Sequence, residues 1–119
     1  MMLVRLGAIC AFLAVGLGAF GAHALRSRLT EDKLKVYNTG VLYHLVHGVA
    51  AVAVGLFTVF RPGLGLVADG GWCFLAGVVL FSGSLYLLAM QRLPGRWGFI
   101  TPVGGLFFLV GWILVALGV

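Results

Sequence analysis

The sequence predicts an all-α membrane protein: a four-transmembrane-helix bundle with a short amphipathic interfacial helix between helices one and two, forming a single domain over residues 1–119. Three observations predict it. The chain is 62% hydrophobic and 9% charged, with a mean hydropathy of +1.16. A soluble domain carries roughly 25% charged residues, so this chain has too few polar groups to coat a water-facing surface. Four apolar runs of about 20 residues, the length that crosses a bilayer, are separated by polar turns. The bases fall unequally on alternate loops, as they do in oriented membrane proteins.

The first span runs from about Arg5 to Leu25. It is longer than the ~7–15-residue apolar region of a signal peptide and is read as a retained span. Arg26 to Gly40 is the one extended polar stretch. Within it Thr30, followed by Glu31, Asp32 and Lys33, has the pattern of a helix start: a hydroxyl cap, then acids in the first turn. Leu34, Tyr37 and Val41 follow at helical spacing, so about Thr30 to Asn38 is expected to be an amphipathic interfacial helix leading into the second span, Val41 to Phe60. Leu34 and Tyr37 should face the bundle or acyl chains, and Lys33 and Lys35 water. Arg61-Pro62-Gly63 ends that span. Leu64 to Gly71 is expected to be a turn and Gly71 to Met90 the third span. Gln91 to Arg96 is a second polar turn, and the fourth span covers about Phe99 to Val119. Trp72, Trp97 and Trp112 are read as interfacial aromatics toward span ends.

The net charge of +5 comes from eight Lys and Arg against Glu31, Asp32 and Asp69. No basic stripe with interleaved aromatics exists, so nucleic acid is not an expected partner. The expected partners are membrane lipid and other membrane subunits or further copies of the chain. Arg5 and Arg61 lie on one side, and Arg26, Arg28, Lys33, Lys35, Arg92 and Arg96 on the other. That bias predicts both termini outside and loops 26–40 and 91–98 in the cytoplasm.

Glycine takes 19 of 119 positions, against an average near 7%. Gly7, Ala11, Ala14, Gly18 and Ala22 form a small-residue stripe on the first helix, and Gly104, Gly111 and Gly118 another on the fourth. Such stripes let helix backbones approach closely in lipid. Cys10 and Cys73 are isolated in apolar runs, without the spacing of metal ligands.

Placing polar side chains by depth brings His23, Tyr43, His44, His47, Ser82, Ser84, Tyr86 and Thr101 to the cytoplasmic half of the bundle. His44 and His47 share a helix face, and an imidazole facing lipid is costly, so these groups are expected to form an inward polar cup open to the cytoplasm. Histidines on neighbouring helices can bind a metal, clamp a haem, hold another small ligand or carry protons. The plainer alternative is that each imidazole bonds a neighbouring helix and fixes its packing. No carboxylate beyond Glu31 or Asp32 is placed to support a metal ligand, so the metal and the cofactor stay unassigned. Ser82-Gly83-Ser84 has no adjacent base and Thr101-Pro102 reads as a helix cap, so no catalytic residues are assigned and the chain is not expected to be an enzyme.

The motifs GAFGAHAL (Gly18 to Leu25), YHLVH (Tyr43 to His47), FSGSLY (Phe81 to Tyr86) and ITPVGG (Ile100 to Gly105), with Gly111-Trp112, resemble in order those of the domain of unknown function 423 family. These are small bacterial inner-membrane proteins with a eukaryotic relative called transmembrane protein 256. The resemblance spans nearly the whole chain. It implies an inner-membrane location, several spans and no catalytic residues to transfer. The family's recurrent His and Tyr positions match His23, Tyr43, His44 and His47.

The expected function is that of a non-enzymatic packing or interaction protein, such as an accessory subunit of a membrane complex. One alternative is a ligand, metal or haem binder using the histidine cup. Another is a small transporter, disfavoured because proton-coupled cation export needs an intramembrane carboxylate and each acid here is expected in a loop.

Overall fold

The computed structural model describes residues 1–119 and contains four helices long and apolar enough to cross a membrane. They are α1 (Met2–Leu25), α2 (Glu31–Phe60), α3 (Gly65–Ala89) and α4 (Ile100–Gly118), the last preceded by a 3-10 turn at Gly95–Trp97. Two stretches widen to π-helical turns, Gly21–Leu25 at the end of α1 and Val78–Ser82 within α3.

α2 begins where the sequence expects a cap. Thr30 is extended (φ −62°, ψ 161°), and its hydroxyl oxygen accepts from the Lys33 backbone N–H at 3.3 Å. Glu31 and Asp32 then complement the helix dipole. The amphipathic segment is helical, with Tyr37 buried and Lys35 exposed, but it is no separate interfacial helix. It forms the first turns of an unbroken 30-residue α2. Gly40 does not interrupt that helix, because its bare Cα is where α2 approaches Tyr86 of α3.

The turn after α2 needs only Arg61 to Leu64, with Gly63 at φ +96°. Consequently α3 starts at Gly65, and the expected turn Leu64 to Gly71 is helical. Gly70 and Gly71 are packing positions: a methyl on Gly70 would meet the carbonyl of Gly111, and one on Gly71 would meet Leu3 and Val54. Asp69, expected in a loop, lies on an exposed face of this helix.

α3 stops in a Schellman motif. The Arg92 N–H reaches the Leu87 carbonyl and the Gln91 N–H that of Leu88. Gln91 has φ +58°, where glycine is the usual residue. A left-handed residue bearing a Cβ costs about 1–2 kcal/mol, so Gln91→Gly is expected to raise unfolding stability in detergent by about 1 kcal/mol. An unchanged or lowered midpoint would contradict this.

Glycine packing organises the helices into two close pairs. In α1–α2, Gly7 meets Val52 and the Gly48 carbonyl, Gly48 meets Cys10 and Ala11, and Gly55 meets Val4. In α3–α4, Gly77 faces Phe108, Gly111 faces Phe74, and Gly118 faces Val67. The pairs join chiefly along α2 and α3, giving a flattened body of 48 × 29 × 18 Å. One apolar cluster, including Leu3, Ala51, Val54, Phe74 and Phe108, fills the join, and a smaller one of Leu25, Tyr37 and Ala89 closes the end bearing the 26–30 loop.

Candidate functional site

The join between the pairs carries the two buried histidines, and further polar contacts lie within each pair. His44 projects from α2 toward α3, and its Nδ1 lies 2.8 Å from the Tyr86 hydroxyl. The Tyr86 ring in turn lies 5.2 Å from that of Tyr37, whose hydroxyl donates to the Leu17 carbonyl of α1 at 2.5 Å.

His47, one turn along α2, faces α4. The Tyr43 carbonyl, 2.8 Å from its Nδ1, can only accept, so Nδ1 carries the proton. Trp112 then donates its indole N–H to Nε2 at 3.0 Å. These two partners fix a neutral imidazole in one tautomer, since a proton on Nε2 would oppose the indole N–H. The ring also stacks on Phe108, centroids 3.7 Å apart and planes 14° apart.

Within α3, Ser84 donates to the Phe81 carbonyl at 2.8 Å. That uses its one proton, so in the 2.5 Å contact between Ser84 and Thr101 the threonine is the donor. Thr101 is thus a cross-link inside α4. The expected cap is absent, because the helix already begins at Ile100 and no side chain caps it.

The remaining expected members stand apart. His23 is exposed on the π turn of α1 and does not join His44. The Tyr43 ring is 40% exposed and lies over His47 and Phe108, contributing its carbonyl rather than its hydroxyl. Ser82 is fully buried, and its hydroxyl has no partner. In place of one cup open to an aqueous end, the polar groups form separate cross-links at successive helix contacts. Trp112 lies six residues before Gly118, about 9 Å from that end of α4, on the side of the span where it is expected. Tyr37 and Trp112 were missing from the expected set. Tyr37 had a signal, its place seven residues before His44 and so on the same helix face; Trp112 offered only its depth in the run.

No group of three His, Cys, Asp or Glu side chains could hold a metal, and the two buried histidines point to different helices. A groove of about 450 Å³ lies beside the seam between α1 and α3. Leu6, Leu13, Leu75 and Val79 contribute apolar walls, and His44 and Tyr86 are the polar groups lining it.

An unpaired buried hydroxyl carries a penalty of about 1–3 kcal/mol. Ser82→Ala is therefore expected to raise the unfolding midpoint, by about 1 kcal/mol after the small loss of volume. A destabilised variant would show that the hydroxyl has a partner.

The family described as "Protein of unknown function (DUF423)" matches residues 17–105. The chain belongs to the DUF423 family. It is 46% identical over 112 residues to the UPF0382 membrane protein YwdK of Bacillus subtilis, covering 94% of this chain and 90% of that protein. It is 42% identical over 112 residues to the UPF0382 inner membrane protein YgdD of Escherichia coli K12, covering 93% and 83%. A third relative, the UPF0382 membrane protein SSP2132 of Staphylococcus saprophyticus, is 39% identical over 119 residues, covering 97% and 93%. No solved structure matches. This DUF423 chain is a multi-pass membrane protein. The DUF423 match contains each cross-linking residue of the seam except Trp112.

Proposed function

We propose that the protein is a non-enzymatic membrane protein acting through association, as an accessory subunit of a membrane complex or as a self-associating unit. The observation carrying this reading is the pairing of its intramembrane polar side chains. Tyr37 bonds α1, His44 bonds α3, His47 bonds α4, and Ser84 meets Thr101, so each of these groups already has a helix-to-helix or local partner. Groups engaged in this way stabilise packing, with interhelical bonds in membranes worth about 0.6 kcal/mol on average. Extraction of the tagged chain from native membranes in mild detergent tests the reading. A larger assembly of defined composition is the expected result, and a monodisperse single subunit would count against it.

A second reading, binding of an apolar small molecule, is favoured by the groove between α1 and α3. Its volume and its apolar walls with two polar groups are those of a small-molecule site. Native mass spectrometry of the membrane-extracted chain tests it. A bound molecule that survives extraction and is lost on Tyr86→Phe would support it, and an unliganded mass would oppose it.

The orientation proposed is both termini outside, with segment 26–40, which includes the first turns of α2, and loop 91–98 on the cytoplasmic side, supported by six of the eight bases lying there. A C-terminal alkaline phosphatase fusion is expected to be active and a C-terminal green fluorescent fusion dark. The reverse pair of results would invert the topology.

A further inference from the structure

The end of the bundle where α2 begins and α3 stops holds a small concavity of about 160 Å³. Leu29, Ala89 and Met90 line its apolar part, and Arg28, Thr30, Lys33 and Gln91 its polar part. The polar members are all hydrogen-bond donors: a guanidinium, a hydroxyl, an ammonium and an amide. The Thr30 oxygen already accepts from the Lys33 backbone, leaving its hydroxyl proton free to donate outward. Glu31 and Asp32, next in sequence to Thr30, do not line the concavity. Two cations and two neutral donors around one small space, with no carboxylate among them, suit an anion with several acceptor oxygens.

Two features identify the source of that anion. The concavity lies where α2 begins and α3 ends, two apolar helices long enough to cross a membrane, and so falls at the level expected for lipid headgroups, with Leu29, Ala89 and Met90 as its apolar lining. Gln91 is also held at φ +58° at a helix stop where glycine is favoured, which places a long amide side chain at the rim. We infer that Arg28, Thr30, Lys33 and Gln91 bind the phosphate of an anionic membrane phospholipid. The guanidinium and ammonium neutralise the phosphate, the hydroxyl and amide orient it, and Leu29 and Met90 contact the start of the lipid's apolar body.

Native mass spectrometry of the full chain tests this in detergent containing equimolar phosphatidylglycerol and phosphatidylcholine. The wild type is expected to retain phosphatidylglycerol preferentially. The double variant Arg28→Gln, Lys33→Gln should lose at least about tenfold of that preference, given what each base contributes near an anionic surface. The double variant Arg5→Gln, Arg61→Gln, at the opposite end, should keep it. Circular dichroism of both variants confirms that folding is intact, as neither substitution touches a buried contact. Unchanged preference in the first variant would overturn the proposal, as would equal loss in the second. Displacement of the lipid by millimolar inorganic phosphate would also overturn it, by assigning the site to a free anion.

Discussion

Gly104→Ala is expected to produce the greatest loss of stability of any single methyl addition in this chain. The added Cβ would strike the Phe81 backbone nitrogen, and would sit 2.7 Å from the Phe81 Cα and 2.8 Å from the Leu80 carbonyl carbon. All three are backbone atoms of the neighbouring helix, so no rotamer change can relieve the contact. α4 must move away from α3, opening the Ser84–Thr101 contact one turn nearer the helix start. Overpacking typically costs about 1–3 kcal/mol, and the upper end of that range is expected here. The adjacent Gly105→Ala is the internal control. Its Cβ would meet only the Phe81 ring, at 3.7 Å, which is ordinary contact. Helix propensity then favours alanine by up to about 1 kcal/mol. Sodium dodecyl sulfate titration of both variants in mild micelles, followed by circular dichroism, reads the two effects. Equal midpoints for the pair would show that α3 and α4 are not closely packed at this level.

The second large effect is expected from His47→Ala. The substitution removes a ring that is 4% exposed and stacked on Phe108, and it strips the Trp112 N–H of its acceptor. The cavity and the lost acceptor together should cost about 3 kcal/mol. Trp112→Phe removes the donor while keeping an aromatic ring, and should cost about 1 kcal/mol. A double-mutant cycle isolates the bond itself, with a coupling expected between about 0.6 and 1.7 kcal/mol. Strict additivity of the two substitutions would mean that Trp112 and His47 do not bond.

The spans were legible in the sequence because apolar run length depends on bilayer thickness, which later packing does not alter. The start of α3 was not, because Gly70 and Gly71 read as turn residues by local propensity. In a membrane bundle the same residues mark where helices touch, and only knowledge of the partner helix separates the two meanings. Depth of the polar groups was likewise readable by counting residues, whereas rotation about the helix axis was not. His23 and His44 were expected at similar depth, yet one is exposed and the other faces Tyr86. The same limit applies to Thr101, whose hydroxyl next to Pro102 matches a cap pattern but turns toward Ser84. Trp112 escaped notice because indoles favour the membrane interface, and its buried acceptor lies sixty-five positions away in sequence.

The division into two glycine-packed pairs has a consequence for biosynthesis. Each pair is a hairpin of consecutive helices, so α1 and α2 can close on each other before α3 has left the ribosome. At that stage Tyr37 already has its Leu17 carbonyl, but the Tyr86 hydroxyl and Trp112 indole that later meet His44 and His47 have yet to be synthesised. In a nascent or truncated first hairpin, His47 keeps its Tyr43 carbonyl, but the imidazole nitrogens that Tyr86 and Trp112 meet in the finished chain lack those partners, at a cost that the second hairpin removes. Incomplete chains are chemically distinguishable from finished ones within the membrane.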